Sequence, residues 1–121
     1  MSKDLRDVDY LAHIRDAIAK IHRYLIDRSE AEFMASELVQ DGVIRNLEII
    51  GEAVSKLSPE LKARHADVPW REVSGMRNRL IHGYMSVNLN IVWDTVVKVL
   101  PEFLETVTAI LDALAMDEGK A

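Results

Sequence analysis

The chain contains no cysteine, so disulfides and thiolate nucleophiles are excluded. It has no glycine-rich phosphate loop and no histidine–glutamate spacing of the zinc-hydrolase kind, which removes the commonest phosphate-cradle and metal-hydrolase signatures. No apolar run approaches the ~20 residues of a membrane span. The opening Met1-Ser-Lys-Asp-Leu-Arg-Asp7 lacks a signal-peptide core, so no membrane association is expected and the cytoplasm is the expected compartment. Glycine (five), proline (three) and aromatic residues (two Trp, three Tyr, two Phe) are sparse. No segment reads as a strand or an internal repeat. Positive charge is also short: 15 Lys and Arg against 20 Asp and Glu give a net charge of −5. That argues against a surface that coats nucleic acid broadly. A local basic site inside an acidic body remains open.

What the chain does have is periodic hydrophobicity. At 121 residues, 49% of them hydrophobic, it is long enough for one domain, residues 1–121, with a core of its own. Asp4 to Asp27 predicts a first helix, with Leu11, Ile14, Ile18, Ile21 and Leu25 at alternating steps of three and four. Its His13 and His22 lie nine apart, on opposite sides of such a helix, and do not form a metal pair. Ser29-Glu-Ala-Glu32 is a capping box that predicts a second helix to about Leu57, with Val43, Leu47, Ile50, Val54 and Leu57 as its stripe. Gly51 weakens that helix by about 1 kcal/mol against alanine, which close approach of another backbone would offset. Arg45 and Glu52, seven apart, share a face. They line either a functional cleft or an ion pair between helices.

Ser58-Pro59 predicts an N-cap and a short helical turn to about Arg64. His65 to Pro69 reads as a loop and Trp70 as a core anchor. A helix then runs from Trp70 to Ile81, with apolar Val73, Met76, Leu80 and Ile81, and Gly83 stands where it stops. Met85 to Asn90 is a polar turn with Asn88 or Asn90 as N-cap. The last helical region spans Ile91 to about Leu114, with Val92, Val96, Val99, Phe103, Val107, Ile110 and Leu114 on one face. Trp93, Val97 and Leu100 widen that face, which predicts a partner surface. Asp94 and Lys98 form an acid-then-base pair. Pro101 should kink or split the helix. The sum is an all-α, up-and-down bundle of four long helices plus a short helical turn.

The chemistry gathers in Met76-Arg77-Asn78-Arg79-Leu80-Ile81-His82-Gly83-Tyr84, with Arg71 just upstream. Arginine is always charged and forks onto phosphate oxygens. Histidine, with a reference pKa of ~6.5, supplies both proton roles near neutrality. Asn78 sits four residues before His82 and is placed to hydrogen-bond its ring. Arg77 and His82, five apart, fall roughly 140° apart around a straight helix. Both reach one substrate only if the helix end distorts or a second copy of the segment takes part.

These residues resemble the signature of the HEPN family: Arg77, four residues, His82, one residue, Tyr84. Val68-Pro-Trp70, Gly75 to Tyr84, Ile91-Val-Trp93 and Arg45-Asn-Leu-Glu-Ile-Ile-Gly-Glu-Ala53 are similar to its HepT-like branch, over about Tyr10 to Leu114. The resemblance implies a HEPN-like helical fold and a metal-independent endoribonuclease toxin without a cofactor, with Arg77 and His82 catalytic. It implies a type VII-like toxin–antitoxin pair, in which an MNT-type nucleotidyltransferase antitoxin neutralises the toxin by transferring AMP to Tyr84. Asn78, Arg79, Tyr84, Arg45 and Glu52 are the supporting residues.

The residues themselves point the same way. Metal-free RNA cleavage needs a base, an acid and a cation. One chain brings one motif histidine, whereas a two-fold homodimer, with or without further pairing, brings two to a composite cleft. The alternative is a non-catalytic helical dimer that binds a nucleotide or regulates a partner, with Arg77 gripping a phosphate.

Overall fold

The computed structural model describes residues 6–82 and 88–120, without the side chains of residues 77, 79–82 and 117–120. Helix α1 runs Asp7–Leu25, α2 Glu30–Met34, α3 Glu37–Lys56, α4 Pro59–Arg64 and α5 Trp70–His82. The last rod is α6 Leu89–Asp94, a π-helical turn Thr95–Val99 and α7 Leu100–Lys120. The described residues contain no strand, and the architecture is the expected all-α bundle.

Its core is built from the predicted stripes. Leu11, Ile14, Ile18 and Ile21 of α1 meet Val43, Leu47, Ile50 and Val54 of α3, all at most 4% exposed. Helix α3 packs against both α1 and α5, and α7 closes the bundle against α1. Gly51 is buried on α3. Trp70 anchors the start of α5. Its ring stands edge-on to Phe103 at 6.0 Å, and Nε1 donates to the His65 carbonyl at 3.0 Å, so the indole N–H is satisfied inside the core. The expected pair Asp94–Lys98 forms at 3.8 Å on the exposed side.

Three expectations are corrected. The second predicted helix is two helices. Ser29 caps α2 as read, its Oγ accepting from Glu32 N–H at 3.1 Å while Glu32 Oε1 accepts from Ser29 N–H at 2.9 Å. The chain then breaks at Ala35 and Ser36 caps α3, its Oγ accepting from Val39 N–H. Gln40 Nε2 donates to the Phe33 and Met34 carbonyls, each at 3.0 Å, so the orphan acceptors at the end of α2 are occupied. The break turns α2 across the bundle and seats Phe33, fully buried, 5.5 Å from the Trp93 ring.

The second correction concerns the last helix. It starts at Leu89, with Asn88 Oδ1 accepting from Asn90 and Ile91 N–H, and it continues to Lys120. The regular α-helix is interrupted just before Pro101, as expected of a residue that lacks a helical donor: a π turn covers Thr95–Val99, and Leu100 N–H reaches back five residues to the Thr95 carbonyl. The wider turn delays the inward face by one residue. Leu100 is buried where Val99 was expected, and Val99 is 42% exposed.

The third correction follows from the first two. Most of the width assigned to a partner surface belongs to the chain's own core, because Trp93 packs on Phe33 and Leu100 is buried. Ile91, Val97 and Val99 remain as exposed apolar residues there.

Candidate nucleic-acid site

Helix α5 positions the motif. Its inward side is Trp70, Val73 and Met76, all at most 7% exposed and spaced by three. Backbone helix continues unbroken through Arg77 to His82. At 100° per residue, the position of His82 is rotated roughly 180° from the middle of that buried stripe, and the position of Arg77 roughly 40°. The position of Arg77 therefore lies on the packed side of the helix and that of His82 on the side turned away from the core. The helix is regular over this span, so within one chain the two positions keep the separation of roughly 140° expected from their spacing. Asn78 is exposed. Arg79 lies on the same helix, its side chain among those not described. Tyr84 lies outside the described residues, and so does any geometry between it and the motif.

Arg45 and Glu52 come together on α3, where they line a cavity of about 320 Å³ between α1 and α3. Tyr10 and His13 of α1 and Glu48 and Lys56 of α3 complete its polar wall. Arg45 is exposed and has no carboxylate within 4.0 Å among the described residues. Tyr10 meets His13 edge-on, with ring centroids 6.3 Å apart. Sequence reading set His13 aside as no partner of a metal pair and did not single out Tyr10. Their spacing of three on one helix was the available signal, but nothing local says that α3 lies beside them.

Asn46, next to Arg45, is 4% exposed. Its Nδ2 donates to the Gly42 carbonyl at 2.8 Å, while Oδ1 has no donor among the described residues. A flipped amide would set two carbonyl oxygens against each other, so the hydrogen bond fixes this orientation.

Residues 14–110 match the family described as Ribonuclease HepT-like. The chain belongs to that family. It is 39% identical over 114 residues to a Methanocaldococcus jannaschii protein named "Gamma-glutamylcyclotransferase and putative RNase", covering 94% of this chain and 50% of that one. The chain thus spans about half the length of that relative. It is 41% identical over 106 residues to a "Putative RNase" of Caldanaerobacter subterraneus, covering 84% of this chain and 91% of the other. A "Probable ribonuclease HepT" of Thermococcus cleftensis is 39% identical over 93 residues, 77% of this chain and 84% of that protein. No solved structure matches the chain. No helix among the described residues is long and apolar enough to cross a membrane.

Proposed function

We propose that this HepT-like chain is a metal-independent endoribonuclease and acts as the toxin of a toxin–antitoxin pair in the cytoplasm, as one domain over residues 1–121. Arg77 and His82 are its catalytic residues. The observation that carries the reading is the complete Arg77-x4-His82-x-Tyr84 motif on and just after α5 in a member of this family.

The chemistry follows from what these groups do. One histidine takes the proton of a ribose 2′-hydroxyl, and the oxygen attacks the adjacent phosphorus. A second histidine, protonated, gives its proton to the departing 5′-oxygen, leaving a 2′,3′-cyclic phosphate and a 5′-hydroxyl. Arg77 holds the charge that builds on the phosphoryl oxygens. One chain supplies one motif histidine, on a different side of α5 from Arg77. A homodimer that joins the two α5 ends supplies both histidines and crosses an arginine from one protomer with a histidine from the other. Asn78 orients the imidazole, Arg79 adds positive potential, and Arg45 and Glu52 support the cleft from α3.

Tyr84 is the regulatory residue in this reading. Transfer of AMP to its phenol by an MNT-type nucleotidyltransferase antitoxin places bulk and negative charge where the substrate phosphate belongs.

The decisive experiment compares wild type, His82→Ala and Arg77→Ala on single-stranded RNA in the presence of a chelator. Each variant should lose at least about 10²-fold in rate, the low end of what one acid–base group contributes. Full cleavage by both variants refutes the assignment. Intact-mass measurement of toxin co-expressed with the adjacent nucleotidyltransferase should find one AMP on Tyr84, and an unmodified Tyr84 in the neutralised pair refutes that part.

A further inference from the structure

Helix α3 carries a charged strip along its outer side. Leu38, Asp41, Arg45, Glu52 and Lys56 fall within an arc of roughly 60°, turned opposite the buried stripe of Val43, Leu47, Ile50 and Val54. Leu38, Asp41, Arg45 and Lys56 are exposed and Glu52 is half-buried. Leu38 is 84% exposed, more than any other large apolar side chain described. Glu48 and Ile49, both half-buried, lie at the margins of the strip.

The order of signs is the informative feature. Asp41, Arg45, Glu48, Glu52 and Lys56 read minus, plus, minus, minus, plus. A second copy turned end for end about a point between Glu48 and Ile49 sets Arg45 against Glu52 and Asp41 against Lys56, each pair occurring twice as a two-fold contact requires. Sliding the partner by one helical turn sets Asp41 against Glu52 in one direction and Arg45 against Lys56 in the other, like charges both times. A parallel pairing sets every charge against its own copy. Like charges in contact are strongly unfavourable, so the pattern selects one direction and one register. Acids four residues before bases, as in Asp41–Arg45 and Glu52–Lys56, also suit pairing along a single helix. The two explanations part company when differently charged copies are mixed.

The surroundings fit a partner helix. Arg45, Glu48, Glu52 and Lys56 line the cavity of about 320 Å³ beside Tyr10 and His13, a recess in which the partner's side chains seat. Helices α1 and α5 both pack on α3 and scarcely touch each other, so they flank it on different sides. A two-fold perpendicular to the plane of two antiparallel helices then keeps both copies of α5 on one face of the dimer and both copies of α1 on the other. The two motif segments thereby share a face.

We infer that two copies of the chain pair antiparallel along α3, with Arg45 against Glu52 of the partner subunit and Lys56 against the partner's Asp41, and that this seam brings both α5 helices to one face. The inference names the contact behind the homodimer on which the ribonuclease reading rests. The seam runs roughly 22 Å from Asp41 to Lys56. Ile91, Val97 and Val99, exposed on the last rod, form the rival surface. They are apolar but set no register.

The test measures solution mass against concentration at low ionic strength for the full chain as wild type, Arg45→Glu, Glu52→Arg and Val97→Asp, with thermal melts to verify folding. The wild type should be dimeric. Each charge reversal sets two like-charged pairs across the seam, so the dissociation constant should rise at least about tenfold. An equimolar mixture of Arg45→Glu and Glu52→Arg should recover the wild-type affinity, because the heterodimer restores both opposite-charge pairs, a result that no contact within one chain produces. If either variant melts well below wild type, Asp41→Lys and Lys56→Asp, at exposed positions, take their place with the same expectation. Reversals that dimerise like wild type, or a mixture no tighter than its components, overturn the α3 seam, and loss of the dimer in Val97→Asp alone assigns it to the last rod instead. A monomeric wild type overturns the seam together with the homodimer of the ribonuclease reading, whereas a dimer indifferent to these charges overturns the seam and leaves that homodimer standing.

Discussion

Asn46 offers the sharpest test of the packing. It sits on the inward face of α3 at 4% exposure, with its Oδ1 accepting nothing among the described residues. A buried acceptor left unpaired costs about 1–3 kcal/mol. Replacing Asn46 with Leu, which shares its branching at Cγ but is larger, removes that acceptor at some cost in local repacking. It also removes the Nδ2 bond to the Gly42 carbonyl, worth about 1 kcal/mol, and orphans nothing, because the Asn46 backbone N–H is the helical partner of that carbonyl. Leucine is the better helix former by a few tenths of a kcal/mol, and it adds apolar burial beside Val43 and Ile50. The balance favours Asn46→Leu by about 1–2 kcal/mol. Unfolding entropy of about 2.1 cal/mol/K per residue over 121 residues makes each kcal/mol worth about 4 °C, so the melting temperature should rise by about 4–8 °C. Calorimetry and urea melts with unchanged slope measure this. A fall of several degrees refutes the reasoning: either Oδ1 has a donor in solution or the larger side chain strains the packing. Asn46→Asp is the control: it puts a charge at the same place and should destabilise by several kcal/mol near neutral pH.

Two further outcomes are expected. Phe33→Ala removes a fully buried ring from against Trp93 and should cost about 3–5 kcal/mol, or about 12–20 °C, read by thermal melting with loss of near-ultraviolet signal. At the start of α2, hydrogen bonds from the Ser29 backbone N–H, and secondarily its hydroxyl, hold the Glu32 carboxyl below its usual pKa. A depressed carboxylate stabilises the fold above its unfolded pKa, and that contribution fades as pH falls through the lower folded value. Carbon-detected titration should therefore find Glu32 below a reference glutamate, and Ser29→Ala should move it back towards one; an unshifted Glu32 in wild type refutes the capping box.

The elements legible in the chain were those set by near neighbours. Ser29, Ser58 and Asn88 cap the helices they were expected to cap, because a side-chain oxygen reaches N–H groups two or three residues ahead whatever lies beyond. The α1 and α3 stripes bury as read, because a period of 3.6 leaves one face available to a core. The break at Ala35 was harder to see. Ser36 carries a cap signal, yet Ser29 and an unbroken apolar pattern competed with it, and the energy that decides is Phe33 against Trp93, sixty residues on. The register change before Leu100 was equally hidden, since Val99 and Leu100 are both apolar and the choice between them is made by the fit of the rod on α1 and α5. At the candidate site, the motif residues are proposed from type and spacing alone. Tyr10, His13 and Lys56 were not joined to Arg45 and Glu52, because their common cavity exists only once α1 lies beside α3.

By itself, then, the order of residues determined most of the helices, the caps at Ser29, Ser58 and Asn88, the spacing of the arginine–histidine–tyrosine motif and the match of residues 14–110 to the HepT-like ribonuclease family. The helices, caps and motif spacing depend on groups within a few residues of one another, over distances that helical geometry dictates. Tertiary structure alone decided the break before α3, the π turn and the burial of Asn46. Those outcomes turn on which surfaces meet across the bundle, and close packing makes that a property of the whole chain.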